Sequence, residues 1–258
     1  MENLTVIIPI VTLDTEEKKD MFVAAISSVD DSNIIVVGNK EAIETLPNDK
    51  LKSTIFTTIV NTSNDSTYVG NVNFALKSVK SDYFSVLEYD DVFSPIWFNA
   101  LKIYMAADVD DTFAFLPLTE IIDYATKSPI GYSNEAVWAS SFSDELGCYD
   151  IQSIENYLNF NTSGGVFKTS DFIALGGLKA SMKLVNWYEF LLRAIYKGKR
   201  VFVIPKVGYY HTVNREDSVT MNFSQTMSEK EADWWIDLAK KEYFFPQDRK
   251  KTYTDDDE

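Results

Sequence analysis

The sequence predicts an α/β protein built around a mostly parallel sheet, and three observations carry that reading. Short β-branched apolar runs at 6–8 and 34–37 lack polar alternation, the pattern of strands buried on both faces. Between them, residues 14–29 place Met21, Phe22, Ala25 and Ile26 at helical spacing behind an acidic first turn. The order strand, helix, strand, helix, strand is complete within about 60 residues, as parallel pairing through crossover helices requires.

The elements follow in order. Pro9 closes the first strand and Gly38 the second; 41–46 reads as a short helix and 54–60 as a third strand. A polar loop at 61–67 leads into a helix over 69–79, with Val72, Ala75, Leu76 and Val79 on one side, and then a fourth strand over 82–87. A helix follows Pro95 to about residue 107, and 112–118 reads as a strand. Residues 123–161 mix Ser, Asn and aromatics without a period, and no element is assigned there. Beyond them come a strand at 166–167, a short helix over 170–175 stopped by Gly176 and Gly177, and a helix over 187–196 ended by Gly198. A strand at 201–204 stops before Pro205, and a last helix spans 229–242 with Trp234, Trp235, Leu238 and Ala239 on one stripe. With no repeat or linker, the reading is a single domain over 1–220, extended by a helical segment and acidic tail over 221–258.

A chain of 258 residues, 45% of them apolar, buries a full core without staples. Its net charge of −15 disfavours sequence-blind binding to nucleic acid or to an anionic membrane, because such binding rests on Lys and Arg neutralising phosphates. The single cysteine, Cys148, excludes an internal disulfide and the Cys-rich zinc scaffolds. The apolar stretch 4–13 has no basic lead-in and is interrupted by Pro9, and no run reaches the roughly 18 apolar residues of a membrane span. A cytoplasmic protein with no membrane span is expected.

Glu88, Asp90 and Asp91 place three carboxylates directly behind the fourth strand. Ligands of open α/β sheets bind at the carboxyl ends of strands, and alternate residues there point the same way, so Glu88 and Asp90 are placed to share one hard cation, Mg²⁺ or Mn²⁺. The competing reading has Asp90 and Asp91 capping the helix behind Pro95 and keeping the edge soluble.

These residues also carry a likeness. The opening Thr5-Val6-Ile7-Ile8-Pro9, the second strand at 34–37, Asn73-Phe74-Ala75-Leu76 and the 82–87 strand running into Glu88-Tyr89-Asp90-Asp91, with Pro95 and Trp97 behind, resemble family 2 glycosyltransferases of the GT-A fold. Gly165-Val166-Phe167, Gly176-Gly177-Leu178, the 187–193 run, Gly198, 201–205 and Tyr209-Tyr210-His211 continue the family's order, so that the likeness covers about four-fifths of the chain. It implies a three-layer α/β/α sandwich that moves a sugar, with inversion, from a UDP- or GDP-sugar to an acceptor hydroxyl, using Mn²⁺ or Mg²⁺.

By that resemblance, Pro9, Ile10, Asn39, Asn73, Glu88 and Tyr89 face the nucleotide sugar. Asp90 is the main metal ligand with Glu88 and His211 beside it, Asp91 supports catalysis, and Trp187 and Tyr188 face the acceptor. Arg215 and Arg193 are candidates for pairing with the departing diphosphate, Arg193 being read in preference as a helix-surface or acceptor-side residue. Three departures stand out: Glu88 replaces the family's first Asp, Gly38-Asn39-Lys40 replaces an Asp-rich turn, and the family's Glu-Asp pair falls on Asn186 and Trp187. Neither of the last two accepts a proton, which leaves Glu189 as the candidate base for the acceptor hydroxyl. Two further readings stay open. One is a non-catalytic binding or structural module of the same fold. The other is a nucleotidyltransferase, although Ile10-Val11-Thr12-Leu13 is not the Gly- and Lys-rich loop such enzymes carry.

Overall fold

The computed structural model describes residues 3–52, 54–107, 112–218 and 225–243, and among these ten strands join in one sheet. β1 (Leu4–Pro9), β2 (Asn33–Gly38), β3 (Thr57–Val60) and β4 (Tyr83–Val86) form the parallel half, in spatial order β3-β2-β1-β4. The other half holds β6 (Thr112–Asp123) and β10 (Arg200–Val213), parallel to each other. Between the halves lies β9 (Val166–Lys168), antiparallel to both β4 and β6, so six of the ten strands share one direction. β5 (Val92–Phe93) and β8 (Cys148–Tyr149) add antiparallel edges to β10, and β7 (Pro129–Ser133) adds one to β6.

β1 is buried along its whole length, which is why its sequence shows no alternation. Val6 and Ile8 enter one core with Phe22 of α1 (Glu16–Ser27), Ala42 of α2 (Lys40–Glu44) and Trp97 of α4 (Trp97–Ala107). Ile7 enters the other with Val72 of α3 (Tyr68–Leu76), Phe172 of α6 (Thr169–Ala174) and Phe190 of α7 (Asn186–Tyr196). The result is the expected α/β/α sandwich, in which each large side chain withdrawn from water contributes roughly 1.5–3 kcal/mol. α1 starts where Thr15 accepts the Lys18 backbone N–H at 3.2 Å, with Glu16 and Glu17 in the first turn. The last helix, α8 (Glu229–Lys240), joins the second core through Ala239 and the following Tyr243, so residues 225–243 pack with the domain itself. The acidic tail at 255–258 lies outside the described residues.

Two strands exceed their sequence limits. β6 continues past Leu118 to Asp123, and β10 runs through Pro205 to Val213. Pro205 falls where β10 bulges against β6, between the Ile204 and Val207 pairings, so its missing N–H breaks no regular ladder bond. The segment 123–161 is ordered into β7, a 3₁₀ turn (Glu135–Trp138), β8 and α5 (Ile151–Asn156). Asn134 pins it. With φ at +73°, its buried Nδ2 donates to the Pro117 and Asn161 carbonyls at 2.8 Å each, and its Oδ1 accepts from Tyr149 Oη and the Asn161 N–H at 2.9 Å each.

Candidate functional site

β1, β4 and β10 end at the same side of the sheet, and the turns that leave them enclose a cavity of about 340 Å³. Pro9, Val11 and Thr12 come from the turn after β1, Lys18 from the first turn of α1, and Tyr68 opens α3. Glu88, Tyr89 and Asp90 follow β4, and the end of β10 supplies His211 and, just beyond, Arg215 and Asp217.

Glu88 is fixed from two sides. Ser163 Oγ donates to its Oε1 at 2.6 Å, and its backbone N–H donates to Tyr209 Oη at 3.2 Å. The Tyr209 ring lies against Gly164, whose φ is +73° and where a Cβ would come within 2.3 Å of the ring, so only glycine permits this approach. Asp91 is 1% exposed and faces away from the cavity as a holder of β10: it accepts His211 Nδ1 at 2.8 Å and the Thr212 N–H at 2.7 Å. Asp90 accepts Arg215 Nη1 at 2.6 Å, while Arg215 Nη2 donates to Tyr89 Oη at 2.6 Å and its Nε to Asp217. Lys18 bridges Asp217 and Asp14 at 3.0 and 2.8 Å.

Burial, and then the charge of Asp91, raises the Glu88 carboxyl above its ordinary value. Burial and the Glu88 charge lift Asp90 to about 6 against the pull of Arg215, and burial raises Asp91 in spite of His211. For His211, burial acts downward, but the Asp91 carboxylate prevails and brings it to about 9, so the imidazole is a cation at neutral pH. Carboxylates crowded in this way favour any added positive charge.

Among the described residues no group of three or more His, Cys, Asp and Glu is gathered so as to hold a metal ion. Divalent ions that also bind a phosphate need only one or two carboxylates from the protein. Glu88 and Asp90, both lining the cavity, fit that requirement in donor chemistry, with Arg215 already resting on Asp90. His211 has its Nδ1 on Asp91, which leaves Nε2 as the nitrogen it can offer to a ligand in the cavity.

The remaining expected residues divide. Pro9 and Tyr89 line the cavity, whereas Ile10 is fully buried, its carbonyl accepting Asn71 Nδ2 at 3.2 Å. Asn39 caps α2, accepting the Ala42 N–H at 2.7 Å. Asn73 is a clamp on the loop after α6: it donates to the Leu178 carbonyl at 2.8 Å and accepts the Leu178 N–H at 3.0 Å. Asn73→Ala is therefore expected to cost about 1–3 kcal/mol in urea unfolding while leaving ligand affinity within about twofold.

Trp187 stands one layer behind the cavity, stacked on Phe167 and donating Nε1 to the Oη of Tyr68, a lining residue, at 3.2 Å. Tyr188 is core, 3% exposed, its Oη bonded to the Ile154 carbonyl at 3.2 Å. Glu189 lies in a different part of the molecule altogether. It has no exposure, accepts Arg193 Nε and Nη2 at 3.0 and 2.8 Å, and binds Lys179 Nζ at 2.8 Å and Tyr243 Oη at 2.7 Å. A carboxylate holding four donors deep in the helical layer has no free lone pair aimed at an acceptor, which corrects its reading as a base. Arg193 is corrected with it: its guanidinium also bonds the Leu175 and Gly177 carbonyls and faces no diphosphate. Tyr68, Ser163 and Lys18 were not found by the sequence. Ser163 reaches Glu88 across 75 positions, a pairing that only the antiparallel insertion of β9 creates.

No family profile matches the chain, and no curated protein does. Solved structures do. Staphylococcus aureus TarS 1-349 in complex with UDP-GlcNAc superposes over 97% of this chain and 69% of its own, with a TM-score of 0.64 at 13% identity. TarS 1-349 alone matches over 92% and 78%, with a TM-score of 0.60 at 14% identity, and its complex with UDP over 96% and 73%, with a TM-score of 0.60 at 13%. The chain spans 44% of the longer TarS structure. The fold is thus the GT-A type that the sequence implied.

Proposed function

We propose that the chain is a glycosyltransferase that takes a nucleoside diphosphate sugar, a UDP-sugar in the first instance, into the cavity at the ends of β1, β4 and β10. The observation that carries this reading is the meeting there of three lining carboxylates, Glu88, Asp90 and Asp217, with three cations, Lys18, His211 and Arg215, on a scaffold whose neighbour is seen with UDP-GlcNAc. A diphosphate dianion is recognised by such a set of fixed positive groups. Glu88 and Asp90 would hold Mn²⁺ or Mg²⁺, which when bound offsets the negative charge that develops on the leaving diphosphate.

The chain's own residues prepare that site. Asp91 keeps His211 charged and turned into the cavity, and Ser163 and Tyr209 fix Glu88 by its carboxylate and its backbone. Tyr89 offers a ring beside the guanidinium of Arg215. Transfer with inversion requires a base near the acceptor hydroxyl, and Glu189 does not supply it.

That gap favours a second reading, a donor-binding module with slow turnover, since Asn186 and Trp187 hold no basic group where the family places its pair. Titration calorimetry with UDP and UDP-GlcNAc in the presence of Mn²⁺ tests the common part. Binding is expected for wild type and is expected to weaken at least tenfold in Asp90→Ala, and absence of binding by wild type removes both readings. Release of UDP from bound UDP-GlcNAc, followed by chromatography, separates transferase from module.

A further inference from the structure

Resting on the nucleotide-sugar reading, we propose that Arg215 is a displaceable counter-ion: it occupies Asp90 in the free protein and yields it when a nucleoside diphosphate arrives. Metal and nucleotide then bind cooperatively, each weakly when alone.

Two observations lead there. Three carboxylates line the cavity; Asp217 is taken by Lys18 and by Arg215 Nε, which leaves Glu88 and Asp90 to a divalent ion, and Asp90 is already engaged by Arg215 Nη1 at 2.6 Å. Asp91 is no substitute, because both of its oxygens are committed, to His211 and to the Thr212 N–H. A guanidinium and a divalent cation on one carboxylate repel each other, so whichever holds Asp90 weakens the other.

The second observation is what holds Arg215. Its side chain is 9% exposed, spread over the Asp90 carboxylate, the Tyr89 hydroxyl and the Asp217 carboxylate. Asp217 is itself half-exposed and shared with Lys18. A planar fork of donors transfers readily between carboxylate and phosphate, whose oxygens it matches equally well. A diphosphate entering between Lys18, His211 and Arg215 gives the guanidinium a new partner without leaving its charge unpaired in a buried place. Asp90 is then released to a metal ion, and by linkage the factor by which nucleotide tightens metal equals that by which metal tightens nucleotide.

The test measures Mn²⁺ binding from the loss of the free-ion electron paramagnetic resonance signal, in wild type and Arg215→Gln, with and without UDP. Without UDP, Arg215→Gln is expected to bind Mn²⁺ at least fivefold more tightly than wild type, although a cation has been removed far from any acceptor chemistry. Addition of UDP is expected to tighten Mn²⁺ at least tenfold in wild type and distinctly less in the variant. Should Arg215→Gln unfold, Arg215→Lys stands in: lysine cannot fork across Asp90 and Tyr89, and a smaller tightening of Mn²⁺ is expected. Unchanged or weaker Mn²⁺ binding by the folded variant without UDP overturns the proposal, as does Mn²⁺ binding by none of the proteins. Failure of UDP to bind wild type in the presence of Mn²⁺ strikes the donor reading instead, and the metal-only comparison still decides whether Arg215 guards Asp90.

Discussion

Glu189→Gln is expected to lower the thermal unfolding midpoint by about 6–20 °C, the equivalent of about 3–5 kcal/mol for breaking a buried charge cluster in a protein of this size. The wild-type carboxylate has no exposure and answers Arg193 through two donors, along with Lys179 and Tyr243. An amide of the same shape leaves Arg193, 11% exposed, as an uncompensated charge. The pH dependence has a definite sign. Burial alone would raise the Glu189 carboxyl, but the bonds from Arg193, Lys179 and Tyr243 hold it below its ordinary 4.5. The stability that it contributes is therefore full above that ordinary value and is lost as the pH falls through the lower folded value. The midpoint difference between wild type and Glu189→Gln should shrink on acidification below about pH 4.5, as calorimetry at a series of pH values would record. UDP affinity of the folded variant should stay within about twofold of wild type. An unchanged midpoint combined with lost donor turnover would return Glu189 to the role of base.

Asn134→Ala should cost more than about 4 kcal/mol in urea unfolding, because the loss leaves several buried backbone and hydroxyl groups without partners at about 1–3 kcal/mol each. The side chain is fully buried and makes four hydrogen bonds, to Pro117, Asn161 twice and Tyr149. Alanine also resists the left-handed backbone at φ +73°, adding about 1–2 kcal/mol. Asn134→Gly removes that strain but restores no bond, so it should recover only about 1 kcal/mol relative to alanine. A cost for alanine below about 1 kcal/mol would mean that the segment 123–161 is held by something else.

β1 and β2 were legible because strands buried on both faces leave continuous apolar runs; β4, broken only by Ser85, was legible with them, and the carboxylates behind it stood out as charge placed directly at a strand end. What escaped reading depends on partners distant in the chain. β7, β8 and α5 are held by Asn134 and by pairing with β6 and β10, none of which leaves a local period. Pro205 looked like a terminus since a proline breaks a regular ladder, and only the bulge in β10 accommodates it. Asn73 resembles a ligand-binding residue in its motif, yet its amide serves Leu178. For Glu189 the sequence did hold a signal, Arg193 one helical turn on, which marks an intrahelical ion pair as readily as a solvated face. Its burial depends on Tyr243 and Lys179, which lie 54 and 10 positions away.

Between its pairings with Pro117 and Thr119, β10 takes five steps, from Ile204 to Tyr209, where β6 takes two. That irregular stretch sets the phase of everything downstream. Side chains of a strand alternate between faces, so deletion of one residue there would exchange odd for even positions, presenting Tyr210 and Thr212 where Tyr209 and His211 now stand. A tyrosine ring would still stand at the first position, but the imidazolium that Asp91 holds would give way to a threonine hydroxyl. Length variation at 205–208 is thus a lever by which evolution, or an engineer, could re-equip the pocket floor in a single step.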